Sequence, residues 1–432
     1  MNSFQFSQDQ RNAVNGICSQ LLDPNTKSHV LTVLTGSAGT GKTTVVGEII
    51  NQINQQSPYT NVELCATTHR AATVLQDITE ESVITGYALF KLRPAITKYG
   101  KETITSAGMC DIKPESVIII DESSMIGNQF LTAIVDIVKE RALKLLFVGD
   151  PFQLPPPTDI CSIFDGSLST FTLTQVHRQL GGNPVLEKAN EFREYIEGIR
   201  DIEPTLETDI NSKGEGIHVL PHADFVAKFV QKYIDYSTGA EVDIPLCTYT
   251  NESAINYNSM VRKAAYFLED TIEPFYEGER LIANSVVMHG DKTILTNNEI
   301  VHVDSYFETE SYDIPGYLVT VRGTYNKYQK SNIKSVFSPR TKAAADKVLK
   351  EEKAIAVKSK SKKGWQEYYK IKNSLADLRP PFAGTTHKAQ GGTFPAVFID
   401  KLNINKCKNP ATRARLFYVA LTRASENVYI NS

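Results

Sequence analysis

Apolar runs and amphipathic stretches alternate through the first 175 residues. His29 to Thr35 reads as a buried strand, and similar runs stand at 62–66, 117–120 and 144–149. Helical periodicity lies around 43–55, 69–77 and 127–140. This alternation predicts a parallel α/β sheet. The rhythm breaks between about Lys91 and Pro114, where Ala95 to Ile104 predicts a short hairpin turning at Tyr99-Gly100. A second α/β segment follows, with helices near 184–198, 222–236 and 251–267 and a strand at 245–249. From 279 to 337 the pattern shifts to short strands, with turn residues at Asn297-Asn298 and Pro315-Gly316, and predicts a small β-barrel insertion. Thr341 to Leu375 is Lys/Ala-rich and helical, broken around Ser359 to Gly364. The α/β pattern then resumes at Ala396 to Ile399 and closes with a helix near 411–421 and a strand at Asn427 to Ile430.

Composition changes this picture in four places. A chain of 432 residues exceeds one ordinary core, so two or more domains are expected. The six cysteines are scattered with no CxxC pair, which favours buried free thiols in a reducing compartment over a metal or disulfide framework. The first ten residues carry no basic-then-apolar signal pattern, and no apolar run is long enough for a bilayer, so the expectation is a cytoplasmic protein with no membrane partner. The net charge of −3 argues weakly against a polyanionic partner, but its distribution argues the other way. Arg322 to Lys372 holds 15 Lys/Arg against 4 Asp/Glu, whereas Leu186 to Asp243 holds 13 acids against 6 bases. Such asymmetry fits a polyanion near the basic segment, although a solvated lysine-rich helix face is the plainer alternative.

The chemistry concentrates in a few segments. Gly36-Ser37-Ala38-Gly39-Thr40-Gly41-Lys42-Thr43 fits GxxxxGK[ST] between a strand and a helix, a loop that cradles phosphates with backbone N–H groups. Val117 to Ile120 ends in Asp121-Glu122, a hydrophobic strand delivering two acids. Asp121 would share a Mg²⁺ with Thr43, and Glu122 would orient and polarise the attacking water. Gln153 follows another strand, at the end where open α/β sheets bind ligand, and could sense the γ-phosphate. Tyr418 to Arg423 closes the chain with an arginine of exposed aspect. Phosphoryl transfer is often switched on by such a charge brought from a second domain.

In order, DQRNA, GSAGTGKTT, ATTHRAA, DESSM, GDPFQLPP, LTQVHR, TTHKAQGGT and YVALTRA stand with the spacing of superfamily-one helicases. The chain resembles the RecD-like branch, and most closely the Dda-type helicases of large bacteriophages. That resemblance implies two RecA-like P-loop domains with parallel sheets, ATP and Mg²⁺ as cofactors, and single-stranded and forked duplex DNA as substrates. It also implies a monomer in the cytoplasm (the host's, if viral), with single-strand-binding or other replication proteins as candidate partners in replication or recombination. The first domain would span 1–175 with a wedge hairpin at about 91–114. The second would comprise 176–267 and 381–432, with an SH3-like barrel and helical tower inserted at 268–380 to back the wedge. Travel would be 5′→3′.

By the same resemblance, Gln10 would read adenine, and the 36–43 loop, Thr44 and Gly391 would complete the nucleotide set. Arg178 and Arg423 would reach the γ-phosphate. Thr67, Thr68 and His69 on one domain, and Thr385, Thr386, His387, Lys388 and Gln390 on the other, would grip the phosphodiester track. A metal-binding role for His69 and His387 has no carboxylate or cysteine cluster to support it. Two departures stand out. Thr85-Gly86-Tyr87 places Tyr87 where the family carries histidine, so that Tyr87 would stack on a base, and Asn297-Asn298-Glu299 lacks the family's glycine. Tyr99, at the hairpin tip, is the candidate for interrupting base stacking. An RNA helicase of the same superfamily, or an ATPase stimulated by nucleic acid without unwinding, are the alternatives.

Overall fold

The computed structural model describes residues 6–25, 28–97, 101–156, 159–175, 182–237, 245–266, 274–284, 287–289, 292–295, 299–323, 330–336, 342–359, 361–374 and 376–432. Two six-stranded sheets carry the molecule. The first is wholly parallel and runs Val83–Thr85, Val62–Ala66, Val117–Asp121, Lys144–Gly149, Val30–Gly36, Ser169–Leu173 from edge to edge. Its central strands are apolar without alternation because helices cover both faces. Helix Lys42–Gln56 buries Val45, Val46, Ile49, Ile50 and Ile53 on one stripe, at roughly 1.5–3 kcal/mol for each fully buried aliphatic side chain. Helix Asn128–Glu140 covers the opposite face through Phe130, Ile134 and Val138.

The second sheet runs Ala383–Thr385, Leu246–Thr248, Phe394–Ile399, Ala424–Asn431, Gly216–Leu220, Asp209–Ile210, parallel except for the last edge strand. Helices Pro184–Glu197, His222–Ser237, Asn251–Ala265 and Pro410–Thr422 lie close to the spans that periodicity predicts. Helix Gln8–Leu21 was not foreseen. It opens on a capping box in which the Ser7 hydroxyl accepts from Gln10 N–H and Gln10 Oε1 accepts from Ser7 N–H at 3.0 Å. That S-x-x-Q signal was legible ahead of the buried stripe Ala13, Val14, Ile17, Cys18, Leu21.

Within the chain of each sheet a further β unit is inserted. Leu92–Ile96 pairs with Glu102–Ser106 as an isolated ribbon, with Ile96 opposite Glu102; residues 98–100, including Tyr99, lie outside the described residues. A five-stranded sheet of order Lys330–Val336, Ile314–Gly323, Ile300–Ser311, Arg280–Ala283, Leu378–Arg379 shares one core with the ribbon of Val287–His289 and Lys292–Leu295. Its strands include a hairpin of 12 and 10 residues rather than uniformly short elements. Pro315-Gly316 is not its turn. Tyr312 and Asp313 turn the chain, both with positive φ (56° and 58°), as a two-residue hairpin turn matched to strand twist requires. Pro315 lies in the strand, beyond the last rung paired with Lys330–Val336. Asn297-Asn298 lies outside the described residues. Helices Lys342–Ser359 and Lys362–Ser374 pack on each other, and the second also lies against strand Leu92–Ile96. Among the described residues no helix is long and apolar enough to cross a membrane.

Candidate functional site

Strand Val30–Gly36 runs straight into the phosphate loop, and Gly41 caps the following helix in the left-handed region (φ 82°). Glycine is required at both ends. A Cβ on Gly36 would sit 2.5 Å from Thr40 Oγ1 and 3.1 Å from the Leu173 carbonyl, and one on Gly41 would sit 2.6 Å from Gln10 Nε2. Lys42 Nζ donates to the carbonyls of Gly36 (2.7 Å) and Ser37 (3.0 Å), so the ammonium lies over the loop. The Ser37 hydroxyl is buried with no partner among the described residues. Backbone amides at a helix N-terminus, a poised ammonium and an unsatisfied hydroxyl fit a polyphosphate. The 36–44 backbone and Lys42 would hold it and supply charge for the transferred group.

Asp121 ends the strand two places away in the sheet. Burial pushes its carboxyl well up from the ordinary range, and Glu122 beside it pushes the same way, while the Glu122 N–H and Lys42 oppose. Glu122 is in the left-handed region (φ 51°), a conformation costing of order 1–3 kcal/mol in a non-glycine residue. Its carbonyl accepts from Thr67 Oγ1 at 3.1 Å. Among the described residues no group of three or more His, Cys, Asp or Glu could hold a metal alone. A Mg²⁺ shared by Thr43 and Asp121 therefore needs the nucleotide's own oxygens to complete its shell.

Gln10 is not an exposed N-terminal glutamine but fully buried. Its Nε2 donates to the Thr40 carbonyl at 3.0 Å while its Oε1 serves the cap of Ser7, so the amide ties helix Gln8–Leu21 to the phosphate loop. The neighbouring Asp9 accepts from Thr174 N–H (2.9 Å) and Gln175 N–H (3.1 Å). Partial burial works against its charged form, but hydrogen bonds from Ser7, Gln175, Thr174 and Gln10 outweigh that and hold its carboxyl down at about 2.

The two halves meet on Tyr418, Arg415 and Leu154, to which no role was assigned from the sequence, and on Gln153, Gln390 and Gly391, which were candidates. Tyr418 is 1% exposed; its hydroxyl donates to Asp150 Oδ2 at 2.6 Å and accepts from the Ala38 N–H of the phosphate loop at 3.3 Å. Arg415 Nη1 donates to the carbonyls of Pro151 (2.6 Å) and Gln153 (2.9 Å). Gln153 Oε1 accepts from Gln390 Nε2 at 3.3 Å, and Leu154, fully buried, belongs to the core of the second half. Gly391, with φ 78°, lies against Ala71, where a Cβ would be 3.3 Å from the alanine's own, and so sits at this seam.

Arg423 is a correction. It is 6% exposed, not solvent-facing, and its guanidinium donates to the carbonyls of Val419 and Gly392 and to Thr422 Oγ1 within its own half. Arg178 lies outside the described residues.

The strand-gripping set divides. Thr68 caps helix His69–Thr79, its hydroxyl oxygen accepting from Ala71 N–H at 3.2 Å, which leaves its proton for an outside acceptor. The side chain of His69 lies outside the described residues. Tyr87 is 37% exposed and stacks on Phe130 with centroids 4.4 Å apart. Thr385 is nearly buried, and Thr386 is fully buried with its hydroxyl donating to the Thr248 carbonyl at 3.1 Å, so that hydroxyl is committed inside the domain rather than to a strand. Burial pushes the pKa of His387 down, favouring the uncharged imidazole. Lys388 also turns inward: Nζ donates to the Asn284 carbonyl at 3.3 Å, and burial, with Arg379 nearby, pushes its pKa down to about 8.

Comparison with known proteins places these features in a family context. Residues 5–218 match the AAA domain family, and residues 381–431 match the UvrD-like helicase C-terminal domain. The ATP-dependent DNA helicase dda of Enterobacteria phage T4 is 23% identical over 98% of both chains. The ATP-dependent RecD2 DNA helicase of Deinococcus radiodurans is 31% identical over 38% of this chain and 21% of its own. Among solved structures, the Pif1 helicase from Candida albicans aligns over 99% of this chain and 94% of its own at 16% identity, with a TM-score of 0.49.

Proposed function

Because this chain belongs to the superfamily-one helicases of the RecD/Dda branch and is an ATP-dependent DNA helicase, we propose that it travels 5′→3′ on single-stranded DNA and parts forked duplexes with the 92–106 ribbon. The observation that carries the coupling is the seam itself. Tyr418 of the second half touches both Asp150 and the phosphate-loop amide of Ala38, so a change at the nucleotide site is felt across the interface. Glu122 holds the attacking water in this reading, Lys42 stabilises the transferred phosphoryl group, and Gln153 relays between site and seam. Arg178 and Arg423 are proposed as the arginines that reach the γ-phosphate when the halves close. Gln10 would select adenine by exchanging its cap for the base.

The unit boundaries follow the same proposal: 1–175, then 176–267 with 381–432, then an SH3-like barrel and helical tower at 268–380. Helix Lys362–Ser374 lies against strand Leu92–Ile96, which supports a wedge backed by the tower. Thr67, Thr68, His69, Tyr87 and Tyr99 are proposed to face DNA from the first half, and Thr385 and His387 from the second. A cytoplasmic monomer acting in replication or recombination is the setting. Unwinding of two forked substrates, one with only a 5′ tail and one with only a 3′ tail, tests the polarity. Product from the 5′-tailed fork alone supports it, and product from the 3′-tailed fork alone overturns it. ATPase stimulated by single-stranded RNA but not DNA would instead support an RNA helicase.

A further inference from the structure

The segment Thr385 to Gly391 touches two other parts of the molecule within seven residues. At its far end Gln390 Nε2 donates to Gln153 Oε1 and to the Leu154 carbonyl (3.2 Å), and Gly391 packs on Ala71, both in the first half. In its middle, Lys388 Nζ donates to the carbonyl of Asn284, which follows the first strand of the inserted sheet. Asn284 is itself held. Its N–H donates to the Asp377 carbonyl (2.8 Å) and its Nδ2 to Asp377 Oδ2 (2.7 Å). Arg379 grips the same carboxylate through Nε (2.7 Å) and Nη2 (2.6 Å), and reaches Asn251 Oδ1 at 3.3 Å with Nη1. Arg280–Ala283 and Leu378–Arg379 are adjacent antiparallel strands, so Asn284, just after the first strand of the insertion, and Asp377, just before its last, lie side by side at its base.

A lysine meant for a phosphate on an open track has no reason to give up its hydration. Lys388 is half-buried, and stripping water even partly from an ammonium is costly unless its position serves something else. Here its partner is a carbonyl at the base of the insertion, in a network that also clamps the exit strand by a bidentate ion pair. Two residues on, at the C-cap of the same one-turn helix, Gln390 Oε1 is buried without a partner among the described residues, so the interface end has bonding capacity to change.

We propose that Lys388 is a positioning residue and not a phosphate contact: it transmits the placement of the Thr386–Ala389 helix, set at the seam by Gln390 and Gly391, through Asn284 and Asp377 into the insertion that backs the 92–106 ribbon. The proposal rests on the helicase reading. It makes Lys388 a coupler of ATP turnover to strand separation, with no share in holding the strand.

Three measurements on Lys388→Met, which keeps the apolar stem, separate the possibilities: single-strand affinity as a function of salt, DNA-stimulated ATPase, and unwinding of a forked duplex. The expected result is an unchanged salt slope, kcat within about twofold, and unwinding per ATP reduced about tenfold, the scale on which a coupling residue acts. Asp377→Asn, at the other end of the network and outside every strand-gripping motif, should give the same split. It decides the matter if Lys388→Met melts early. A salt slope shallower by about 0.7 with uniformly weaker binding would mark Lys388 as one lost phosphate contact and overturn the proposal. Unwinding per ATP at the wild-type level in both variants would overturn it equally. A wild-type protein that hydrolyses ATP but fails to unwind any fork would instead sink the helicase reading.

Discussion

The two six-stranded sheets can be laid over each other by strand order, and the match extends to single carboxylates. Val117–Asp121 and Phe394–Ile399 hold the same place in the two sheets, and each delivers an aspartate at its carboxyl end, Asp121 and Asp400. Asp400 is wholly committed to structure. It accepts from Asn403 N–H (3.1 Å), Asn431 Nδ2 (2.7 Å) and Ser253 Oγ (2.7 Å). Asp121 accepts from the N–H of its neighbour Glu122, in a pocket that resists its charge. The strands that carry the phosphate loop differ in the same way. Val30–Gly36 leads into a glycine-rich loop, whereas Gly216–Leu220 passes through Pro221 directly into a helix, with no cradle between. Equivalent folds thus diverge in function according to which polar groups are left unsatisfied.

The largest expected effect would bring the second half into the chemistry despite its lack of a cradle. Arg423→Ala should lower kcat by about 10³–10⁵ with little change in ATP affinity, the scale of arginines supplied to phosphoryl transfer. Equal turnover in wild type and variant would confine catalysis to the first half and leave Arg423 as a tie to Gly392 and Val419.

Next comes the carboxylate contrast itself. Glu122→Gln keeps the shape of the side chain and removes its basicity, so DNA-stimulated turnover should drop by about 10²–10⁴ while ATP·Mg²⁺ binding persists. Asp400→Ala should do the reverse, leaving kcat per folded molecule unchanged and costing about 2–4 kcal/mol of stability from buried donors left unpaired. Urea denaturation alongside steady-state ATPase reads both, and a loss of kcat in folded Asp400→Ala would break the comparison.

The smallest effect concerns matching caps. Thr68 and Thr250 each cap the helix after equivalent strands, accepting from Ala71 and Ser253 N–H groups. Each should cost about 1 kcal/mol when changed to alanine. Only Thr68→Ala should also weaken single-strand binding, and equal binding losses would show that the effect is structural.

Much of this contrast could be read from the residues alone. The predicted strands and helices stand close to their spans because helices on both faces make buried strands continuously apolar, whereas Val83–Thr85, Ser169–Leu173, Asp209–Ile210, Gly216–Leu220 and Ala383–Thr385, short or lying toward the sheet edges, were not foreseen. The phosphate loop and Asp121-Glu122 were legible because phosphate chemistry restricts which residues can follow a strand. Burial of single polar side chains was not legible. Nothing in YVALTRA distinguishes an arginine turned toward its own helix from one facing a neighbour, and Thr386 and Lys388 read as surface groups until the folded chain shows what covers them. Tyr418, Arg415 and Leu154 depend on contacts between residues more than 200 apart in the chain, which no local pattern encodes. The turn at Tyr312-Asp313 was missed for a narrower reason, since both residues adopt positive φ without glycine.

Leu154 has a consequence for how the chain comes together during its synthesis. This side chain, made before the chain is half complete, finishes a core whose other walls include Phe394–Ile399 and Ala424–Asn431, among the last residues translated. Throughout most of elongation the loop Asp150 to Leu154 therefore has an apolar residue with nowhere to go. The first half cannot reach its final form ahead of the second, and the opposite half lacks a piece of its interior until the tail emerges. A nascent chain stalled before residue 394 should therefore be cleaved readily at this loop by a protease, and the released full-length chain should resist the same cut.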